Sequence, residues 1–126
     1  MFKNLAIIFS LSLILFGCQK AIDPVVNISA RVGDKVQSER QKQIDKTNAI
    51  VKCQELCQIQ LSSDGQDFDQ GPCLSNQIAP DWVCDVAHEP RQPLDDQPEN
   101  QCPGFRQGQA HHFVEVDGNC NMIKVF

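Results

Sequence analysis

Ile50-Val51-Lys52-Cys53-Gln54-Glu55-Leu56-Cys57 decides the fold. Ile50, Cys53, Leu56 and Cys57 recur at intervals of three and four, the spacing of one face of an α-helix. Ile44 extends the stripe backward and Leu61 extends it less regularly forward, and neither Gly nor Pro interrupts the chain between Asp34 and Gly65. The spacing predicts a helix over residues 44–61, stopped at Asp64-Gly65, where glycine can take the left-handed turn that ends helices. Cys53 and Cys57, four apart, point the same way. Two cysteines stacked on one helix staple it to two different segments, so separate partners are expected.

Cys73, Cys84, Cys102 and Cys120 complete an even set of six in the second half of the chain. Zinc sites favour close C-x2-C pairs, whereas three, fifteen, ten, seventeen and seventeen residues separate these cysteines. Three disulfides are the expected use, with fifteen connectivities open. Magnitudes agree. From about residue 47 onward the large aromatics are Phe68, Trp82, Phe105, Phe113 and Phe126. A core in so small a body supplies only about 3–5 kcal/mol, and three bridges at about 2–4 kcal/mol each exceed that.

A seventh cysteine stands apart. Residues 1–17 carry Lys3, an apolar run from Leu5 to Phe16, then Leu15-Phe16-Gly17 directly before Cys18. That run is shorter than the roughly 17–25 residues a membrane-spanning helix needs, and suits the core of an export signal. The arrangement resembles the lipobox of prokaryotic membrane lipoproteins, with Phe16 bulkier than the usual residue there. The resemblance covers residues 1–18 alone. It implies cleavage before Cys18, lipid on Cys18, and a lipid-anchored protein outside the cytoplasmic membrane or in the outer membrane. Export also supplies the oxidising compartment that the disulfides need.

The expected organisation is therefore a signal at 1–17, a lipidated anchor and tether at 18–43, and a cysteine-rich domain at 44–126. Gln19–Gly33, with Pro24 and Gly33 as breakers, is expected to be a flexible tether. Within the domain, Trp82-Val83-Cys84-Asp85-Val86-Ala87-His88 alternates as a strand with Trp82, Cys84 and Val86 on one face. Residues 64–76 read as a loop with a turn at Gly71-Pro72. Pro90, Pro93, Pro98 and Pro103 forbid regular structure from Glu89 to about Gly104. His111–Val116 and Cys120–Phe126 form a hairpin around Asp117-Gly118-Asn119, whose turn length leaves the register open. The fold class is α+β: one disulfide-stapled helix on a small antiparallel sheet with a C-terminal hairpin.

Charge is divided unevenly. Residues 19–63 hold seven Lys or Arg against five acids, while residues 64–126 hold eleven acids against Arg91, Arg106 and Lys124. The basic stretch suits anionic headgroups beside a lipid anchor. The acidic body lacks the basic patches that nucleic acid demands.

Three constellations are candidates for chemistry. His88, His111 and His112 have carboxylates nearby in sequence and are the metal candidates. His111 and His112 are adjacent on an expected strand and so face opposite ways. Asp64, Asp67 and Asp69 suggest a calcium loop, but counting from Asp67 puts Gly71 fifth and Ile78 twelfth, where ligands belong. Glu89-Pro90-Arg91-Gln92-Pro93 is a stiff loop that could present Arg91 to a trypsin-like protease. Arg91, Asp95 and Asp96 are its binding-loop residues. No nucleophile elbow, zinc-protease helix or phosphate loop occurs in the sequence. The resulting expectation is a lipid-anchored, non-catalytic binding or accessory module without a cofactor, meeting an envelope protein or surface ligand. Metal binding through the histidines and protease inhibition through Arg91 follow as alternatives.

Overall fold

The computed structural model of the chain describes residues 23–63 and 68–126, with side chains from residue 31 onward. The signal and Cys18 lie outside the described residues. The chain divides into two compact units, Met1–Arg40 and Gln41–Phe126. In the first unit, the described residues are helical and those from 31 to 40 are all exposed.

Helix α1 is Asp23–Leu61, much longer than the expected 44–61. The residues read as a flexible tether are thus helical from Asp23 onward. Pro24 falls in the first turn, where its missing N–H costs nothing. Gly33 costs only about 1 kcal/mol relative to alanine, too little to break the helix.

In the second unit, α1 buries Ala49, Cys53 and Cys57 completely, whereas Ile44 and Leu61 are more than two-fifths exposed. The buried stripe is therefore one of small residues. Disulfides explain this. Cys53–Cys84 and Cys57–Cys120 hold their Cα atoms 5.4 and 5.6 Å apart, too close for large side chains along that line. The two helical cysteines take separate partners, as their spacing predicted.

The sheet comprises β1 (Cys73–Ala79), β2 (Trp82–Val86), β3 (His112–Val116) and β4 (Met122–Val125), in that spatial order. It is mixed rather than purely antiparallel, because β2 and β3 run parallel. A parallel neighbour requires a crossover of a dozen or more residues, and the stretch between Val86 and His112 supplies it. Residues 73–76, expected to end a loop, instead begin β1, whose sequence Cys-Leu-Ser-Asn-Gln-Ile-Ala alternates poorly.

One face of the sheet packs on α1. Trp82, Cys84 and Val86 join Val114 and Val116 there against Ala49, Cys53, Cys57, Phe68 and Cys120. The opposite face carries Val83 and Phe113, covered by Cys102, Phe105 and Ala110 from the crossover. Cys73–Cys102 staples this cover to β1. The crossover itself holds a 3-10 turn at Pro93–Asp96 and a one-turn helix α2 at Pro103–Arg106, so Pro93 and Pro103 start short helical turns where irregular chain was expected.

The hairpin turn spans residues 117–121. The Asp117 carboxylate accepts hydrogen bonds from the Asn119 and Asn121 amides at 2.9 and 2.8 Å. A bulge follows, and Val114, Glu115 and Val116 pair with Val125, Lys124 and Met122.

Candidate functional site

β2 and β3 carry the same five-residue pattern, Trp-Val-Cys-Asp-Val and His-Phe-Val-Glu-Val. The alternation sends the first, third and fifth residues to α1 and the second and fourth to the opposite face. Parallel pairing then sets Asp85 beside Glu115, with Lys124 opposite Glu115 on β4. Three charged residues stand in one row across the sheet. A pocket of about 210 Å³ lies over that row, walled by Phe105 and Phe113 and roofed by Arg91, Gln101 and Cys102.

The charges are not equivalent. Arg91 Nη1 donates to Glu115 Oε1 at 2.8 Å, while Nη2 and Nε donate to Asp96 Oδ1 at 2.9 and 3.0 Å. The Glu115 bond above all, and then Asp96, push the Arg91 guanidinium further above its ordinary value. Asp85 has no such countercharge. Burial, reinforced by the Glu115 charge, lifts its carboxyl to about 7, against a smaller downward pull from backbone N–H groups of Cys102 and Val86. Its Oδ1 is buried without a hydrogen-bond partner. Lys124 joins no ion pair among the described residues and lies over the Phe113 ring, 5.3 Å from its centroid. Phe105 meets Phe113 edge to face at 5.0 Å, which stiffens the aromatic wall.

Of the expected binding-loop residues, Arg91 and Asp96 are exposed, whereas Asp95 is not. Asp95 is only 4% exposed. Its carboxylate accepts from the Gln92 amide at 2.7 Å, from the His88 amide at 3.2 Å, and lies 2.7 Å from His88 Nδ1. Burial opposes ionisation there, but the Gln92 and His88 hydrogen bonds outweigh it and hold the carboxyl below its ordinary value. Asp95 thus ties the loop to the end of β2. Gly71 is required beside it: its φ is +63°, and a Cβ there would stand 3.0 Å from both Asp95 Oδ1 and Val86 O. The Arg91 side chain, two-fifths exposed, is bonded back to Glu115 and Asp96.

The histidines do not converge. His88 follows the C-terminal end of β2 and engages Asp95. His111 and His112 sit at the other end, with His111 Nδ1 2.6 Å from Asp81 Oδ1 and His112 Nε2 3.7 Å from Asp81 Oδ2. They reach one carboxylate, contrary to the expectation for adjacent strand residues, because β3 begins at His112 and His111 precedes it. Asp81 occupies the tight turn between β1 and β2 with φ +68°. His112 also stacks on Trp82 at 4.6 Å. No group of three or more His, Cys, Asp or Glu among the described residues is arranged to hold a metal ion. Of the calcium-loop residues, Asp64 and Asp67 lie outside the described residues.

By sequence, Asp85 and Glu115 stand out only as carboxylates near the histidines, and Lys124, Phe105 and Phe113 carry no site role. The available signal was the acid at the fourth place of both strands, on a face with an apolar residue two positions earlier. No protein-family model, curated protein or solved structure matches the chain. The fold and the site define a small α+β domain held by three disulfides, a construction suited to an oxidising, extracytoplasmic compartment. No helix among the described residues is long and apolar enough to cross a membrane.

Proposed function

We propose that this protein is an exported lipoprotein, cut before Cys18 and anchored there by lipid, whose stapled body is a non-catalytic binding module of the cell envelope. Two or more acyl chains at one cysteine give stable attachment where a single chain gives only marginal attachment. The observation that carries the binding role is the pocket between the sheet and its stapled cover, with convergent charges on an aromatic wall. Loops fixed on a rigid scaffold are where recognition concentrates, and Cys73–Cys102 fixes this one.

Two measurements test the proposal. Intact-mass analysis of membrane-extracted protein is expected to show a chain starting at Cys18 and bearing lipid, with Cys18→Ala released or unprocessed. Unchanged attachment of that variant at the same mass would sink the anchor. A small-molecule extract of the envelope is expected to raise the melting temperature of the oxidised protein, by mass action on the native state. Gln101→Trp, which fills the pocket rim, is expected to abolish the rise; an extract that stabilises neither protein refutes the binding role.

A further inference from the structure

Part of the crossover closes over β2 as a cover. Cys73–Cys102 ties it to β1, and the Gly104 amide donates to Asn76 Oδ1 at 2.7 Å. Cys102 Sγ sits 3.2 Å from Cys84 O, and Phe105 meets Phe113 edge to face. The apolar cluster beneath the cover is small: Val83, Cys102 and Ala110, with Cys73, Phe105 and Phe113 packed against it. The larger cluster lies on the other face of the sheet, against α1. Lifting the cover therefore uncovers the lesser core and leaves the greater one packed.

Asp85 is enclosed under that cover, its Oδ1 shut off from solvent and without a hydrogen-bond partner. Glu115 is its registered neighbour on β3, and Lys124 follows on β4. From the crossover, Arg91 bonds Glu115 and Asp96 and acts on Asp85 only through its charge. His88 and Asp95, just past β2, engage each other. The β1 partners of β2, Cys73, Ser75 and Ala79, carry no charge. A neutral Asp85 fits this place. Ionised, it sets a second negative charge beside Glu115 with one oxygen bare, which is costly in a buried site. The Cys102 and Val86 amides favour the charge, but burial and Glu115 outweigh them and lift the carboxyl to about 7. Lifting the cover admits water to the bare oxygen and removes that cost.

We infer that Asp85 is a proton-operated latch on this cover: protonated, it lets residues 101–106 close on the sheet, and ionised, it lifts them while α1 stays packed on the other face. The proton passes to solvent and no other covalent bond changes, so Cys73–Cys102 stays intact and limits how far the cover moves. Opening releases one proton. The open fraction therefore rises with pH from the ordinary carboxylate range to about 7, by at most about tenfold per pH unit, and is level above that. The inference goes beyond the binding role and stands without it; where the pocket holds a ligand, entry follows the same step.

The test is amide hydrogen exchange in the full oxidised chain in detergent, between pH 5 and 8 and in dilute urea, with each rate divided by the intrinsic rate at that pH. The Cys102 and Gly104 amides report on the cover, because they bond across to Asp85 and Asn76 Oδ1. The Cys53 and Cys57 amides report on α1. The cover amides are expected to be less protected than those of α1 and to respond little to urea, as local opening exposes little surface. Their protection is expected to fall at least about tenfold from pH 5 to pH 7 and then level. Asp85→Asn is expected to remove that fall. In the parent protein, the Asp85 carboxyl carbon is expected to titrate where the fall levels, which tests the latch even if the variant does not fold. Cover amides that match α1 in protection and urea response, a fall that persists in Asp85→Asn, protection that ignores pH, or an Asp85 carbon titrating in the ordinary carboxylate range each overturns the inference.

Discussion

Asp85 and Glu115 are registered neighbours on the parallel strands β2 and β3, yet only Glu115 is hydrogen-bonded to the Arg91 guanidinium, at 2.8 Å. Burial without such a bond raises the Asp85 carboxyl. It also makes Asp85 a cost to the fold at neutral pH.

That cost has a definite sign. Well below the ordinary carboxylate value of 3.8, Asp85 is protonated in both folded and unfolded chains and imposes no penalty. As pH rises toward about 7, the unfolded chain ionises while burial and Glu115 hold the folded group neutral, so stability falls. Above that value the penalty is constant. Asp85→Asn is therefore expected to be more stable than the parent at pH 8, by about 1–3 kcal/mol once solvent relaxation is allowed for, and nearly equal to it at pH 4. Urea melts at the two pH values decide this. An offset identical at both would show that Asp85 ionisation does not load the fold.

Asp95 acts in the opposite sense. Hydrogen bonds from Gln92 and His88 depress its carboxyl, so its contribution is present above the ordinary carboxylate range and lost as pH falls through it. Asp95→Ala strands the amides of Gln92 and His88 and is expected to cost about 2–4 kcal/mol. Gly71→Ala, pressing on the same carboxylate from a positive φ, is expected to cost at least about 1 kcal/mol. Chemical denaturation of both variants checks this, and parent-like stability of Asp95→Ala would refute the role.

Arg91→Ala is expected to destabilise the domain by about 1–3 kcal/mol, because it leaves Glu115, 7% exposed, without its countercharge. Adding Glu115→Gln is expected to recover part of that loss. A double-mutant cycle with no coupling between the two positions would show the ion pair to be idle.

The three bridges are expected to open in order. Cys73 is only partly buried, whereas Cys53, Cys57, Cys84 and Cys120 are buried. Limited reductant followed by alkylation and mass analysis is therefore expected to find Cys73 and Cys102 modified first. Cys57–Cys120 closes the longest stretch, 63 residues, and is expected to contribute the most stability, about 4 kcal/mol. Pairwise replacement by alanine ranks the bridges. A smaller loss for Cys57–Cys120 than for Cys73–Cys102, which closes 29 residues, would show that native-state contacts outweigh loop closure.

Much of the frame was legible because its signals are local. The three-and-four spacing around Cys53 and Cys57 specifies a helix face, and it also specifies that the two sulfurs leave in one direction for separate partners. The alternation in 82–86 and the Asp117-Gly118-Asn119 turn specify a strand and a hairpin by a similarly short-range rule. What lies beyond one element was decided only in three dimensions. The closure cost of a loop changes slowly with its length, so nothing near Trp82 or His112 states that β2 and β3 meet in parallel. Nor does anything local state that Cys53 finds Cys84 and Cys57 finds Cys120, rather than the reverse. The pocket follows from that pairing: residues from β2, the crossover, β3 and β4 become neighbours once the strands are in register. Asp95 could be read only as a residue of a proline-braced loop, and it is buried because its carboxylate folds back onto the amides of His88, just past β2, and of Gln92.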